Sequence, residues 1–264
     1  MDRAVEVVPG ARDAGVLFIC DHASNAVPDD LANLGLPPQQ FERHIAYDIG
    51  AAELTRTLAR EFGAPAVLSG VSRLVIDPNR GADDPTLVMR LSDGAAIPGN
   101  ARVDAAEVER RTNLYWRPYR DAIALGIADM GATGPPPAVV SLHSFTPVWK
   151  GFARPWDVAV LWDADPRVAT PLIAAFAAAG LRVGDNEPYD GALEGDTLHE
   201  LATKAGLAHV LIEARQDLVA TSGGVADFAA KISAALRPVL ARPETHIIER
   251  YGSRTDRRHR SPRP

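Results

Sequence analysis

Short apolar runs alternate with longer amphipathic stretches along most of the chain. Apolar runs bounded by turn residues indicate buried strands, whereas apolar residues that recur every three or four positions indicate helices. The runs predict strands at residues 15–20, 65–69, 72–76, 138–142, 158–162, 181–183 and 208–212. The amphipathic stretches predict helices at 41–62, 104–130, 166–179, 197–204 and 224–240. Pro118 is expected to break or kink the second of these helices, because proline cannot donate a helical hydrogen bond.

This alternation favours an α/β fold in which a mixed, largely parallel sheet is covered by helices on both faces. The sequence contains neither an internal repeat nor a linker that would divide it, so we predict a single domain over residues 1–245. Residues 246–264 are predicted to form a basic, disordered tail, since residues 250–264 carry six arginines among Gly, Ser and Pro.

Composition and charge narrow the classes of partner. The chain is 46% hydrophobic and 23% charged, with a net charge of −6, so we expect neither nucleic acid nor a membrane surface as a partner. Cys20 is the single cysteine, which excludes a disulfide within the chain and fits a reducing compartment. The N-terminus lacks the basic and apolar regions of a signal peptide, and we therefore expect a cytoplasmic location. The oligomeric state stays open.

Polar and ionisable residues that could bind a ligand or take part in catalysis directly follow five of the apolar runs. They lie in segments 21–25, 77–80, 143–144, 184–189 and 213–215. In open α/β sheets, ligands bind beyond the carboxyl ends of the strands. We therefore expect these five segments to converge on one crevice.

Two histidines and one glutamate are the candidates for chemistry in that crevice. His22 and His143 stand at predicted strand ends, where a neutral imidazole suits a metal ion, although a hydrogen-bonded loop histidine is the alternative. Glu213 lies beside an apolar strand, where a bare carboxylate is costly to bury. It either forms a structural ion pair with Arg215 or Arg73, or acts as a general base in the site.

The pair Asn79-Arg80 is a candidate for binding a small carboxylate substrate. A planar guanidinium grips two carboxylate oxygens at once, and a neighbouring amide adds a donor. The same segment also has strong turn chemistry in Asp77-Pro78-Asn79, and both interpretations can hold.

Several ordered motifs resemble those of N-formylglutamate amidohydrolases, from about residue 15 to 240. They are Asp21-His22-Ala23-Ser24-Asn25, Arg43-His44-Ile45-Ala46 with Asp48-Ile49-Gly50, the segments Ser72 to Arg80, Ile97 to Asn100 and Ser141 to Pro147, then Arg154-Pro155-Trp156, Gly184 to Tyr189 and Ile212 to Leu218. That family is in turn similar to zinc carboxypeptidases and aspartoacylase-like deacylases in the order of its functional residues along the chain, which is a metal-binding histidine, an Asn-Arg pair, a second metal-binding histidine and then a glutamate.

The resemblance implies a fold, a cofactor and roles for individual residues. The implied fold is a three-layer α/β/α domain with a mixed sheet, and the implied cofactor is Zn²⁺, with other divalent metals possible. The roles it implies are His22 and His143 as metal ligands, Glu213 as the catalytic base, Arg73 on the oxyanion, and Asn79 with Arg80 on the substrate carboxylate. The implied activity is hydrolysis of an N-formyl or N-acyl amide, as in N-formyl-L-glutamate, giving formate and the amino acid. We expect Arg215 or Tyr189 to bind a second substrate carboxylate, and Asn186 to be a further substrate-binding residue.

One position departs from the deacylase pattern. That pattern has a glutamate three residues after the first histidine, and Asn25 stands there instead. We hypothesise that Asp48 supplies the third metal ligand, from the helix after the first strand. His44 would then lie one turn earlier on the same helix face. The alternatives are that Asn25 or a water molecule is the third ligand, and that Asp48 is a plain surface carboxylate.

Two other functions fit the same residues. One is a related zinc deacylase or peptidase that acts on another N-acyl amino acid or on a peptide. The other is a non-catalytic protein that uses the crevice to bind a carboxylate. Metal analysis separates the second from an enzyme, because a binding module need not retain an ion.

Overall fold

A seven-stranded mixed sheet forms the centre of this computed structural model, which describes residues 4–258. The strands of the described chain are β1 (Val5–Val8), β2 (Val16–Cys20), β3 (Ala66–Ser69), β4 (Leu91–Ser92), β5 (Ala95–Ala96), β6 (Ala138–Phe145), β7 (Val148–Trp149), β8 (Phe152–Ala153), β9 (Val158–Leu161), β10 (Val183–Asp185) and β11 (His209–Arg215). The order in the central sheet is β1-β3-β2-β6-β11-β9-β10, while β4 pairs with β5 and β7 with β8 in two small hairpins. Strands β3, β2, β6 and β11 run parallel, β1 is antiparallel to β3, and β9 is antiparallel to β11 and parallel to β10.

Helices cover both faces of this sheet. They are α1 (Ala51–Phe62), α2 (Ala105–Arg111), α3 (Arg117–Gly131), α4 (Pro166–Ala178), α5 (Gln216–Val219), α6 (Ser222–Leu240) and α7 (Thr255–Arg258), with shorter helical turns at Asp29–Gly35, Pro38–Glu42, Pro98–Asn100, Thr112–Trp116, His199–Thr203 and Pro243–His246. Alternate residues of β2 point to opposite faces, so Phe18 packs in the same core as Leu54 of α1, and Ile19 in the same core as Ile123 of α3. The predicted three-layer α/β fold is confirmed. Over residues 4–258, no helix combines the length and the apolar character that crossing a membrane requires.

The apolar run at residues 72–76 is buried, as predicted, but it forms turns and not a strand. Ser72 explains the difference, because its hydroxyl donates to the Ala46 carbonyl (2.8 Å) and accepts from the Leu74 amide (3.2 Å). The Val75 amide donates to the Ser72 carbonyl (2.9 Å) and closes the turn. A serine that bonds to nearby backbone in this way competes with sheet formation.

The predicted helix 41–62 begins only at Ala51. Gly50 has φ +81°, a left-handed conformation that ends the preceding turns and starts α1. The Asp48 amide donates to the His22 carbonyl (2.9 Å), which fixes this loop against the end of β2. Asp48 therefore comes from a loop before the helix, and its predicted helical spacing from His44 is wrong.

We expect Gly50→Ala to destabilise the protein by roughly 2 kcal/mol or more, because it combines an unfavourable φ with a steric clash. A Cβ at Gly50 would overlap the Val219 carbonyl oxygen and its side chain. Gly63→Ala is the matched control, since Gly63 also has a positive φ but a Cβ there would meet nothing within 4 Å. Thermal unfolding of both variants checks this. Equal losses of stability would contradict the contribution of the Val219 contact.

The predicted helix start at Asp104 is confirmed, since its carboxylate accepts from the Glu107 amide (2.9 Å) as an N-cap. The expected break takes the form of a π-helical turn over Thr112–Trp116, directly before Pro118 in α3. Because proline lacks a backbone donor and crowds the preceding turn, widening that turn accommodates it.

Much of the predicted tail packs against the domain in the structure. The Arg254 amide donates to Asp163 (2.8 Å), and its guanidinium to the Trp162 carbonyl (2.7 Å) and to Asp190 (2.6 Å). Ser253 and Thr255 are buried. Composition indicates a disordered tail, whereas in the structure this segment contacts the rest of the domain up to residue 255. Residues 259–264 of the predicted tail lie outside the described residues.

Candidate active site

The strand order creates a crevice at the carboxyl end of the parallel strands. β2 lies between β3 and β6, so the chain leaves β2 towards one side of the sheet and later returns on the other, the arrangement at which ligands bind. A cavity of about 340 Å³ opens there, lined by His22 after β2, His143 on β6 and Glu213 on β11. The convergence that the sequence predicts is therefore present.

His22 and His143 meet at the base of this cavity. Their ring centroids lie 4.8 Å apart, and both side chains are buried. The Oδ2 atom of Asp48 lies 3.3 Å from His22 Nδ1 and 2.8 Å from His143 Nδ1. The ligand atoms of the three residues all lie within 4.8 Å of one another.

Each imidazole has a second carboxylate on its other nitrogen. His22 Nε2 lies 2.8 Å from Asp77 Oδ1, and His143 Nε2 lies 3.0 Å from Asp21 Oδ2. A ring that binds a metal through one nitrogen keeps its proton on the other, and the carboxylates of Asp77 and Asp21 can accept that proton from Nε2. The Nδ1 atoms are then the ones directed at the space shared with Asp48.

Charge interactions across this buried cluster are strong. Burial opposes a charge on His143, but hydrogen bonds to Asp21 and Asp48 outweigh it and hold the pKa of His143 well above its usual value. Burial also works to raise the pKa of Asp48, yet His22 and His143 keep that pKa below its usual range. Asp48 is therefore ionised at neutral pH.

The donor set fits a divalent metal ion. Two imidazoles and one carboxylate are a common zinc site that leaves a coordination position open, and outer carboxylates on the imidazoles are typical of such sites. Among the described residues, Arg73 is the one arginine that forms ion pairs with the carboxylates of this cluster, namely with Asp48 and Asp77. A bound cation would offset the excess negative charge of four buried carboxylates, namely Asp21, Asp48, Asp77 and Glu213.

We expect Asp77→Asn to weaken metal binding by about 10- to 100-fold, because loss of the outer carboxylate lowers the basicity of the His22 ligand. Competition with a chromophoric chelator measures the affinity. Asp165→Asn is the matched control, since Asp165 is an equally buried carboxylate paired with Arg167 elsewhere in the fold. Unchanged affinity in Asp77→Asn, or an equal loss in Asp165→Asn, would contradict this role.

Glu213 lies beside His143 but outside the cluster of His22, Asp48 and His143. β11 extends further than the predicted run 208–212, so Glu213 is within the strand and pairs in register with His143 of β6. Its Oε2 atom is buried and has no hydrogen-bond partner among residues 4–258. Burial raises the pKa of Glu213 to about 7, well suited to a group that takes and returns a proton.

Arg73 lines the cavity next to these acids. Its guanidinium donates to Asp77 Oδ2 (2.9 Å) and lies 3.6 Å from Asp48 Oδ1, while its buried Nε has no partner among the described residues. A cation fixed in this way, with a donor left over, can stabilise negative charge that develops on a substrate oxygen.

Asn79 and Arg80 also line the cavity, and the turn that their sequence predicts is present. The Asn79 amide donates to Asp77 Oδ1 (3.0 Å), so one aspartate supports both this turn and His22. The Arg80 guanidinium donates to the Asn79 carbonyl (3.1 Å) and the Thr86 hydroxyl (3.2 Å), and its one ion pair within residues 4–258 is a long contact with Asp84 (4.0 Å). It is thus available to a substrate carboxylate.

The structure places two predicted substrate-binding residues away from the cavity. Arg215 forms ion pairs with Asp157 (3.0 Å) and Asp217 (2.7 Å). The Asn186 side chain accepts from the amides of Trp162 and Gly191, both at 3.0 Å, and thereby shapes the loop after β10. Both side chains are engaged by the fold itself.

Tyr189, the third predicted residue, does line the cavity, together with His44. Asn25 does not, because its amide donates to the Phe41 carbonyl (2.9 Å). The side chain of Asn25, which stands where the deacylase pattern has a glutamate, is therefore directed away from the cavity. Asp48 lies between the two histidines instead.

Sequence reasoning assigned no role to three residues that support the site. Asp21 and Asp77 each follow an apolar run, and this placement was a usable signal for them. The Thr197 hydroxyl donates to Asp21 Oδ1 (2.5 Å) and its amide to Asn79 Oδ1 (3.2 Å). Thr197 lies 176 positions from Asp21, and nothing in its local sequence indicates this contact.

Comparisons with known proteins find a family model and solved structures that are similar to this chain. The family model described as N-formylglutamate amidohydrolase matches residues 14–220. A gene product from Agrobacterium tumefaciens of known structure shares 36% sequence identity over 92% of this chain and 96% of its own, with a TM-score of 0.85. An N-formylglutamate amidohydrolase from Ralstonia eutropha JMP134 shares 20% identity over 91% of this chain and 98% of its own, with a TM-score of 0.66, and supports the fold alone. No curated protein matches the chain.

Proposed function

Because this chain belongs to the N-formylglutamate amidohydrolase family, we propose that it is a metal-dependent enzyme that removes a formyl or other acyl group from the nitrogen of a small amino acid. N-formyl-L-glutamate is the reference substrate, with formate and glutamate as products. The observation that carries the proposal is the buried triad of His22, Asp48 and His143 beside Glu213, whose Oε2 has no hydrogen-bond partner in the described part of the chain.

The triad supplies the metal site of this proposal. His22 and His143 would bind the ion through Nδ1 and Asp48 through a carboxylate oxygen. A divalent ion such as zinc, when bound there, polarises the scissile carbonyl and increases the acidity of water in the site. Asp21 and Asp77 hold the two imidazoles in the required orientation through Nε2.

Glu213 moves the proton. Its free Oε2 accepts a proton from the water molecule as the water oxygen attacks the amide carbon. The carbon–nitrogen bond then breaks, and Glu213 returns the proton to the departing amine. Water has by then supplied the oxygen of the new acid and a hydrogen of the new amine, so the step is balanced.

Two arginines stabilise negative charge on the substrate, one at the carbonyl oxygen and the other at the carboxylate. The unpartnered Nε of Arg73 can donate to the carbonyl oxygen as it becomes negative, while Asp77 keeps the guanidinium in place. Arg80 and Asn79 bind the α-carboxylate of the amino acid and so orient the amide towards Glu213. We further propose a cytoplasmic enzyme whose partner is this small molecule and not nucleic acid or a membrane.

Release of formate from N-formyl-L-glutamate and from neutral N-formyl amino acids tests the proposal. We expect turnover that is lost on treatment with a chelator and restored by zinc or another divalent ion. Release of the free amino acid from N-acetyl and N-succinyl amino acids defines the acyl group, because these compounds yield acetate or succinate and not formate. Turnover that survives complete metal removal, or no hydrolysis of any of these compounds by the metal-loaded protein, would refute it.

A further inference from the structure

Arg154 is a buried arginine that lies behind residues lining the cavity, and it forms no ion pair within residues 4–258. It follows β8, and only 7% of the residue is exposed. Its guanidinium donates to the carbonyl (3.3 Å) and hydroxyl (3.1 Å) of Thr146 and to the hydroxyl of Tyr189 (2.9 Å). No carboxylate is among its hydrogen-bond partners in the described chain. A buried cation held only by neutral groups is costly unless a ligand supplies the opposite charge.

Arg167 shows how the same fold treats a buried arginine that serves structure. Arg167 is 4% exposed, and its Nε and Nη2 atoms donate to the carboxylate of Asp165 at 2.6–3.1 Å. Arg215 is likewise paired, with Asp157 and Asp217. Arg154 therefore differs from these two arginines in having no acidic partner, a feature that it shares within the described chain with Arg120, whose guanidinium donates to three backbone carbonyls. Arg154 differs from Arg120 in its bond to Tyr189, which lines the cavity.

Three aromatic rings surround Arg154. Its guanidinium carbon lies 5.8 Å from the ring centre of Phe145, 5.6 Å from that of Trp149 and 5.1 Å from that of Tyr189. The faces of these rings favour a cation but neutralise little of its charge. Phe145, Trp149 and Tyr189 all line the cavity, so the positive charge lies directly behind its wall.

The hydroxyl of Tyr189 connects this charge to the cavity. It accepts a hydrogen bond from Arg154, so its own proton is free to be donated to another group. A tyrosine hydroxyl is protonated at neutral pH, and partial burial raises the pKa of Tyr189 further. A phenol polarised by a guanidinium is a stronger donor than a phenol alone.

We propose that Arg154 and Tyr189 form a second anion-binding subsite, in which the Tyr189 hydroxyl contacts an acidic group on the substrate side chain and Arg154 supplies the positive charge. This inference rests on the proposed function and deepens it, because it names the residues that select an N-acyl amino acid with a second carboxylate. Arg80 binds the first carboxylate, and the subsite takes the place of the predicted Arg215.

Paired substrates that differ only in this charge give the test. The kcat/KM is measured on N-formyl-L-glutamate and on N-formyl-L-glutamine, which has a neutral side chain of the same size. We expect the parent enzyme to prefer the glutamate by about 10²-fold, the effect of one charged hydrogen bond. Arg154→Met should reduce that ratio to about 1–3, mainly by slowing the glutamate reaction.

Two further variants separate this role from a structural one. Tyr189→Phe removes only the hydroxyl and should lower the ratio by about tenfold even if Arg154→Met folds poorly. Arg215→Met is the control, because it removes an acid-paired guanidinium outside the cavity and should leave the ratio unchanged. The inference is overturned if the parent shows no preference for glutamate, or if Arg154→Met and Tyr189→Phe slow both substrates equally. Hydrolysis of neither substrate by the metal-loaded parent would instead refute the proposed function, and the inference with it.

Discussion

Glu213→Gln lowers kcat by about 10²–10⁴ while the protein keeps its metal, because this change removes the proton acceptor without touching the ligands. Glutamine has nearly the same shape as glutamate and cannot accept a proton from water. The free Oε2 of Glu213 and its register position beside His143 support this expectation. Formate release under saturating substrate measures the loss of kcat, and elemental analysis of the variant measures whether the metal is retained.

A control variant distinguishes this effect from a general loss of charge. Glu200→Gln removes a carboxylate that pairs with Lys204 outside the cluster, and it should retain near-parent kcat. The KM of Glu213→Gln should change little, since Arg80 and Asn79 and not Glu213 bind the substrate carboxylate. Near-parent turnover by Glu213→Gln would remove Glu213 as the base.

Asp48→Ala abolishes stable metal binding and, with it, activity. The loss should exceed the roughly 10- to 100-fold expected for an outer carboxylate, because Asp48 is a direct ligand in this account. Its Oδ2 lies within 3.3 Å of both Nδ1 atoms, so its removal leaves two imidazoles without the shared oxygen. Zinc titration of the chelator-treated protein measures the affinity.

Asn25→Ala is the matched control for Asp48→Ala. Asn25 occupies the position of the ligand in the deacylase pattern, but its amide donates to the Phe41 carbonyl. We expect metal affinity and activity to stay near the parent values in this variant. Loss of metal in Asn25→Ala with retention in Asp48→Ala would reverse the assignment. Thermal unfolding of both variants separates loss of a ligand from loss of the fold.

The framework of the site could be predicted because it follows from local patterns. Apolar runs fixed the positions of β2, β6 and β11, and parallel strands bring their carboxyl ends to one edge. His22, His143 and Glu213 lie at or near those ends, so their meeting needed no knowledge of the loops. The lengths of β6 and β11 were underestimated, since polar His143 and Glu213 interrupt the apolar runs while still continuing the ladder.

The remaining parts depend on contacts between distant segments. Ser72 turns an apolar run away from the sheet by bonding to Ala46, 26 positions earlier in the chain. Arg215 and Asn186 resemble ligand-binding residues by type, but nearby acids and amides engage them. Arg154 belongs to a motif that carries the family resemblance, but its role could not be predicted, because an arginine becomes informative only when its burial and the absence of an acidic partner within residues 4–258 are known.

The central claim is that His22, Asp48 and His143 hold one catalytic cation, and anomalous X-ray scattering from zinc-loaded crystals tests it most directly. We expect a single strong peak at about 2.0–2.2 Å from the Nδ1 atoms of both histidines and from a carboxylate oxygen of Asp48. A peak bound through the Nε2 atoms, or no peak between these three residues in protein that hydrolyses N-formyl-L-glutamate, would contradict the account.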